Sequence, residues 1–175
     1  MQDYFLKTDR LTMRITTTYS IDDWYNLQSD PVVIKYLGDG KSRTKLEIEK
    51  NLCKTIKHYH QYHYHQYNFS FFDIYENNVF IGLAGLFHLE FDEKNEDIEI
   101  GYVLHKKFWG KGYATELTKK IIHYGLYQLR LKYLIACCHF DNTASSKVML
   151  KCGMKYLKKY KYKGVYSCDL YQIKL

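Results

Sequence analysis

The sequence predicts a mixed α/β domain, and three observations carry that prediction. Short alternating segments rich in β-branched and aromatic residues recur along the chain. Segment 113–129 instead places Ala114, Leu117, Ile121 and Tyr124 at helical spacing. A glycine-bearing turn, residues 107–114, joins the strand-like segment 96–104 to that helix.

Residues 10–16 (RLTMRIT) alternate and read as a strand. Ser20 is placed to N-cap a short helix over 21–28, with Asp22 and Asp23 in its first turn. Pro31 follows Asp30 and ends that helix. From Leu46 to about His65 the pattern is helical and dense in Tyr and His. Segments 69–75 and 79–88 flank Glu76-Asn77-Asn78 and form an antiparallel hairpin. Strand 96–104 pairs with the second of these across an acidic loop. Residues 132–138 are a short continuous apolar strand of the kind buried on both faces. Helix 142–152 is capped by Asn142 and ended by Gly153, and 165–175 is the final strand. The order is β-α-α-β-β-β-α-β-α-β-β. No internal repeat, low-complexity linker or boundary interrupts it, so residues 1–175 are expected to form a single domain.

At 175 residues the chain is long enough to bury a core without staples. Its 46% hydrophobic and 26% charged content argues against disorder. The longest apolar run, residues 79–87, falls far short of the roughly 20 residues that span a bilayer, and no basic-then-apolar leader opens the sequence. A soluble, cytoplasmic protein is expected. Five cysteines, an odd number without a C-x-x-C pair, fit reduced thiols in that compartment. The net charge of +7 is uneven. Lysines crowd positions 147–163 and acids crowd positions 90–99, which suits a phosphate-bearing ligand and a cationic one respectively.

The chemistry concentrates in Lys107-Phe108-Trp109-Gly110-Lys111-Gly112-Tyr113-Ala114. Glycines at a strand-to-helix junction let the backbone turn and present free N–H groups, and the helix N-terminus adds partial positive charge. That combination binds phosphate oxygens. A plain turn is the competing reading. A P-loop is excluded because Lys35 stands where its first glycine belongs before Gly40-Lys41-Ser42. A dinucleotide fingerprint fails at Thr115 and lacks its acid near Lys132.

The segment IEIGYVLHKKFWGKGYATE (residues 98–116) resembles the acetyl-CoA pyrophosphate loop, Q/R-x-x-G-x-G/A, of the GCN5-related N-acetyltransferases, the GNAT superfamily. Asn142-Thr-Ala-Ser145 and Lys151-Cys-Gly-Met154 resemble the family's N-x-x-S and K-x-G-F. TDRLTMR (8–14) and SDPVVIKYL (29–37) are similar to openings of its RimJ/RimL-like branch. Lys107 replaces the usual Gln or Arg, and Met154 the usual Phe. Met149 stands where many members carry a tyrosine acid, as is common in this branch.

The resemblance implies a GNAT fold: a mostly antiparallel sheet of six to seven strands, about four flanking helices, and a splay between strands 96–104 and 132–138. It implies an acetyl-CoA-dependent enzyme without a metal. The pyrophosphate would rest on the N–H groups of Gly110, Gly112, Tyr113 and Ala114, with Leu104, Lys107, Trp109 and Lys111 in the same donor segment. Val103 N–H would polarise the thioester carbonyl, a kind of contact worth roughly 3 kcal/mol. Asn142 and Ser145 would meet the pantetheine arm and Lys147 a CoA phosphate. Glu99 is the candidate base, acting through water, and Ser145 the candidate acid. The competing roles are a helix cap for Asn142, a solvated lysine for Lys147 and a solvated acidic run for Glu99.

The acceptor is an amine. Neutralising an α-amine at pH 7 costs roughly 1.2 kcal/mol and a lysine roughly 4.6 kcal/mol. A site with one carboxylate and no tyrosine acid therefore suits a protein N-terminus, as the resemblance also implies. Polyamines and aminoglycosides are the alternative acceptors. A non-catalytic CoA- or RNA-binding module is the alternative class, although no nucleic-acid motif appears. Histidines 58, 60, 63 and 65 show no i, i+4 pair and line the acceptor cleft more plausibly than they hold a metal. Monomer and homodimer both stay open.

Overall fold

The computed structural model describes residues 5–58, 70–91, 96–164 and 166–175. The strands are β1 (Leu6–Lys7), β2 (Leu11–Ile15), β3 (Phe71–Glu76), β4 (Val79–His88), β5 (Ile98–Leu104), β6 (Tyr133–His139), β7 (Lys155–Tyr162) and β8 (Tyr166–Lys174). The helices are α1 (Ile21–Ser29), α2 (Pro31–Ile34), α3 (Lys45–His58), α4 (Tyr113–His123) and α5 (Thr143–Lys151). The sheet order is β1-β2-β3-β4-β5-β6-β8-β7. Pairs β1–β2, β2–β3, β3–β4, β6–β8 and β7–β8 are antiparallel, and β5–β6 is parallel. Eight strands and five helices among the described residues exceed the expected six to seven and about four. The additions are β1 and α2, of two and four residues, too short to show a period in the sequence.

Two compact units share the chain. The first takes the residues up to Gly85 and Tyr102–Tyr113. Its core packs Trp24, Leu27, Val33, Ile48 and Leu52 against Phe80 and Leu83. Helix α3 opens on a capping box: Thr44 N–H donates to Glu47 Oε2 (2.8 Å) and Glu47 N–H to Thr44 Oγ1 (3.3 Å). The β3–β4 hairpin turns on Asn77 and Asn78, both at positive φ, as a two-residue turn requires.

The expected cap at Ser20 is corrected. Its side chain makes no cap hydrogen bond but donates to Asp73 Oδ2. Asp73 is 1% exposed and also receives the Thr16 hydroxyl (2.8 Å) and Trp24 Nε1–H (2.9 Å). A buried carboxyl without donors costs more than a lost helix cap, so the hydroxyl serves the carboxyl. Pro31 does end α1, and it also begins α2, where the Asp30 side chain accepts the Val32 N–H (2.9 Å). The helix expected from 46 to about 65 begins at Lys45 and is described to His58. His60, His63 and His65 lie outside the described residues.

The second unit takes Leu86–Gly101 and Ala114–Leu175. β6 pairs with β8 along its whole length, and β7 lies on the far side of β8. β6 buries Leu134, Ile135, Ala136 and Cys138, as its continuous apolar run predicts. Helix α4 passes into a π turn over Tyr124–Gln128, so the expected helical stretch holds but its last turn is wider. Asn142 caps α5 by accepting the Ser145 N–H (3.2 Å). All five cysteines are free; Cys138, Cys152 and Cys168 are buried and Cys53 is exposed. Among the described residues no helix is long and apolar enough to cross a membrane.

Candidate functional site

In the first unit β5 ends at Leu104 and leads, through a 3-10 turn over Lys106–Phe108, into residues 109–112 and then α4. The expected donor residues Val103, Leu104, Lys107, Trp109, Gly110, Lys111, Gly112 and Tyr113 all belong to this unit. His105 N–H donates to Ile81 O (2.9 Å), fixing the end of β5 on β4. At Gly82 the β4 backbone passes so close that a Cβ would stand 2.1 Å from Val103 O. Only glycine fits there, so β4 and the Val103 peptide are in backbone contact.

Beyond the strand, Trp109 Nε1–H donates to Leu104 O (2.7 Å) and ties the turn back to β5. Phe108 is buried, with Lys107 and Lys111 ammonium groups 5.1 and 5.2 Å from its ring centre. Gly110 and Gly112 take φ of 74° and 82°, a region that other residues enter only with strain. Both are exposed, and a Cβ at Gly110 would meet nothing within 4 Å. Open space, left-handed glycines and the start of an 11-residue helix are the features with which backbone can receive an anion.

In the second unit Glu99 sits opposite Ile135 in the parallel β5–β6 pair. It is 6% exposed. One carboxyl oxygen takes the Cys137 backbone N–H, whereas Oε2 is buried and has no hydrogen-bond partner among the described residues. Burial, together with the facing Glu90 charge, pushes the Glu99 carboxyl up to about 8 against the opposing Cys137 bond. Glu99 is thus no member of a solvated acidic run. Its neighbours in that run are engaged too: Asp97 accepts the Tyr133 hydroxyl (2.5 Å), and Glu90 accepts the Tyr160 hydroxyl (2.7 Å) and the Lys163 N–H (2.6 Å).

Burial pushes the Cys137 and Cys138 thiols up, the latter to about 12, which removes them as neutral-pH nucleophiles. Ala114, Asn142, Ser145 and Lys147 lie in the same unit as Glu99. Asn142 and Ser145 are half-buried at the start of α5, and Lys147 is exposed one turn on. No group of three or more His, Cys, Asp or Glu side chains placed to hold a metal ion occurs among the described residues.

Sequence reasoning gave no site role to Arg10, Glu76, Tyr160 or Tyr162, and took Glu90 only as one of the acids at positions 90–99. Arg10 lies within residues 8–14, and nothing local ties it to position 111. Glu76 meets Tyr113 at the start of α4, and Tyr160 meets Glu90 in the turn after β4, only once the chain has folded.

The family described as "Acetyltransferase (GNAT) domain" matches residues 10–155. The uncharacterized N-acetyltransferase p20 of Bacillus licheniformis is 32% identical over 144 residues, 82% of this chain and 78% of its own. Another relative, YnaD of Bacillus subtilis, is 29% identical over 86% of this chain and 82% of its own length. Among solved structures, a GNAT-family acetyltransferase from Bacillus anthracis superposes with a TM-score of 0.78 at 24% identity, covering 97% and 98% of the two chains. RimL, a ribosomal L7/L12 alpha-N-protein acetyltransferase in complex with coenzyme A, gives 0.79 at 16% identity over 96% of each. At these identities the structures show a shared fold.

Proposed function

Since the chain belongs to the GNAT acetyltransferases and is an acetyl-CoA-dependent N-acetyltransferase, we propose that its acceptor is the α-amine of a protein N-terminus and that residues 1–175 work as one catalytic domain. The observation that carries the acceptor is the Glu99 carboxyl, buried, half-partnered and raised to about 8. Proton transfer is most efficient between groups of matched affinity. An α-amine titrates at about 7.7–8.0, within reach of a carboxyl that burial has raised, whereas a lysine at about 10.4 holds its proton far more tightly. The RimL structure has a similar fold and its name describes an N-terminal acetyltransferase, which agrees with this acceptor.

In this reading the N–H groups of Gly110, Gly112, Tyr113 and Ala114 hold the donor's pyrophosphate, and Lys107 and Lys111 add positive charge beside it. Leu104 and Trp109 keep that turn against β5. Val103 N–H polarises the thioester carbonyl. Asn142 and Ser145 meet the pantetheine arm and Lys147 a CoA phosphate. Glu99 takes one proton from the arriving ammonium through water. The neutral nitrogen attacks the carbonyl carbon, the C–N bond forms, and the C–S bond breaks with its electron pair on sulfur. The proton released from nitrogen ends on that sulfur by way of the Ser145 hydroxyl.

The test is a rate comparison with acetyl-CoA and four acceptors: a free peptide, the same peptide formylated at its N-terminus but carrying lysine, spermidine, and an aminoglycoside. Mass mapping should place the acetyl group on the free α-amine. Faster turnover of the formylated peptide, spermidine or the aminoglycoside overturns the assignment.

A further inference from the structure

Phosphate-binding backbone needs its N–H groups turned toward the ligand and its carbonyls turned away. The loop alone does not enforce that, because glycines at 110 and 112 leave the peptides between them free to rotate. Two residues at the edge of the first unit supply the constraint. Arg10, just before β2, donates from Nη1 to Lys111 O (3.1 Å). The same guanidinium lies 4.4 Å from the centre of the Tyr113 ring, and its Nη2 stands 3.5 Å from where a Cβ of Gly112 would be. The Tyr113 hydroxyl in turn donates to Glu76 Oε1, at the end of β3. Leu11 and Glu76 are opposite each other in the β2–β3 pair, so both grips come from one strand end.

The geometry of the peptide bond gives this grip a direction. Across a trans peptide the carbonyl oxygen and the following N–H point opposite ways. Holding Lys111 O toward Arg10 therefore aims Gly112 N–H away from Arg10. We propose that Arg10 is a positioning residue for acetyl-CoA, holding the Lys111 carbonyl back so that Gly112 N–H faces the pyrophosphate. Glu76, through Tyr113, holds the first residue of α4 in the matching orientation. This inference rests on residues 110–114 being the donor seat. It adds a specific reason for an arginine at position 10: a planar fork can bond a carbonyl and stack on a ring at once, whereas an ammonium makes a point contact.

The experiment uses the full chain labelled with 15N-glycine. Calorimetry gives acetyl-CoA affinity, and amide spectra follow Gly110 and Gly112 as CoA is added. In the parent both resonances should move downfield on binding. Arg10→Met should weaken acetyl-CoA binding about tenfold, the scale of one charge-assisted hydrogen bond. It should also abolish the Gly112 shift while leaving the melting temperature near the parent's. Arg10→Lys, which keeps the stem and charge, should recover only part of the affinity and guards against misfolding of the first variant. A retained Gly112 shift in Arg10→Met, or parent-like affinity in both variants, overturns the proposal. A Gly110→Glu/Gly112→Glu protein, run alongside, separates the two claims. If it still binds acetyl-CoA as the parent does, the donor seat itself is wrong; if it does not and Arg10→Met does, only the role of Arg10 fails.

Discussion

The glycine loop of the first unit and the buried Glu99 carboxyl of the second are opposite environments. The loop is exposed, with left-handed glycines at 110 and 112, and in the proposed function it acts through backbone N–H groups. Glu99 is buried, and its surroundings are Glu90 from the turn after β4, Cys137 on β6, Tyr160 and Tyr162 on β7, and Cys168 on β8; in the proposed function it acts through the carboxyl oxygen without a partner among the described residues. Binding a phosphate needs open dipoles at low cost, whereas moving a proton near neutral pH needs a carboxyl denied water. The difference predicts that the two regions fail separately when altered.

The largest effect belongs to Glu99→Gln. It should lower kcat by about 10²–10⁴-fold, the range for a general base, with acetyl-CoA affinity unchanged by calorimetry. The same variant carries a pH-dependent gain in stability. The folded carboxyl has an affinity near 8 against 4.5 in its ordinary state, so the native protein binds the extra proton. Its stability is therefore full below about 4.5 and drains as pH rises toward about 8. Glutamine has no such proton to lose. Melting temperatures of variant and parent should match in acid and diverge in the variant's favour toward pH 8; a parallel pair of curves would show that Glu99 is not so raised.

Next comes Gly110→Glu with Gly112→Glu. Added carboxylates on the anion seat, at backbone angles that strain any side chain, should cut acetyl-CoA affinity at least ~100-fold while the chain stays folded. Equilibrium binding with circular dichroism checks both halves. Loss of this site should leave the Glu99 titration in place, read by carboxyl NMR, which is the sharpest check that the regions are independent.

The smallest effect is expected from Glu90→Gln. Glutamine still accepts from Tyr160 and the Lys163 N–H but carries no charge toward Glu99. The acid limb of kcat/KM should move to lower pH by roughly half a unit to one unit. An unmoved limb would mean that desolvation alone sets Glu99. Glu90 itself holds a left-handed backbone, φ 61°, which its two side-chain bonds stabilise.

Much of this was legible in one dimension. The order of strands and helices, the Asn77-Asn78 turn, the Asn142 cap and the glycine loop before α4 are local. Each is written in residues a few positions apart, and backbone conformation answers to such neighbours first. Family membership followed from the same contiguous segments. Ser20 shows where that reasoning stops: its position fits a cap, yet a carboxyl 53 residues away claimed its hydroxyl.

Burial and register belong to the tertiary structure. The resemblance singled out Glu99 from Glu96 and Asp97, but nothing in the local sequence shows that its carboxyl is cut off from water, which the packed strands alone bring about. Arg10 and Lys111 are 101 residues apart and meet because β2, β3 and the loop share one edge. The sequence by itself determined where a left-handed glycine turn runs into a helix start, since that depends on residues a few positions apart. That Glu99 is desolvated, and that Arg10 reaches the Lys111 carbonyl, was decided only by folding, because desolvation and long-range hydrogen bonds exist only once distant segments have packed.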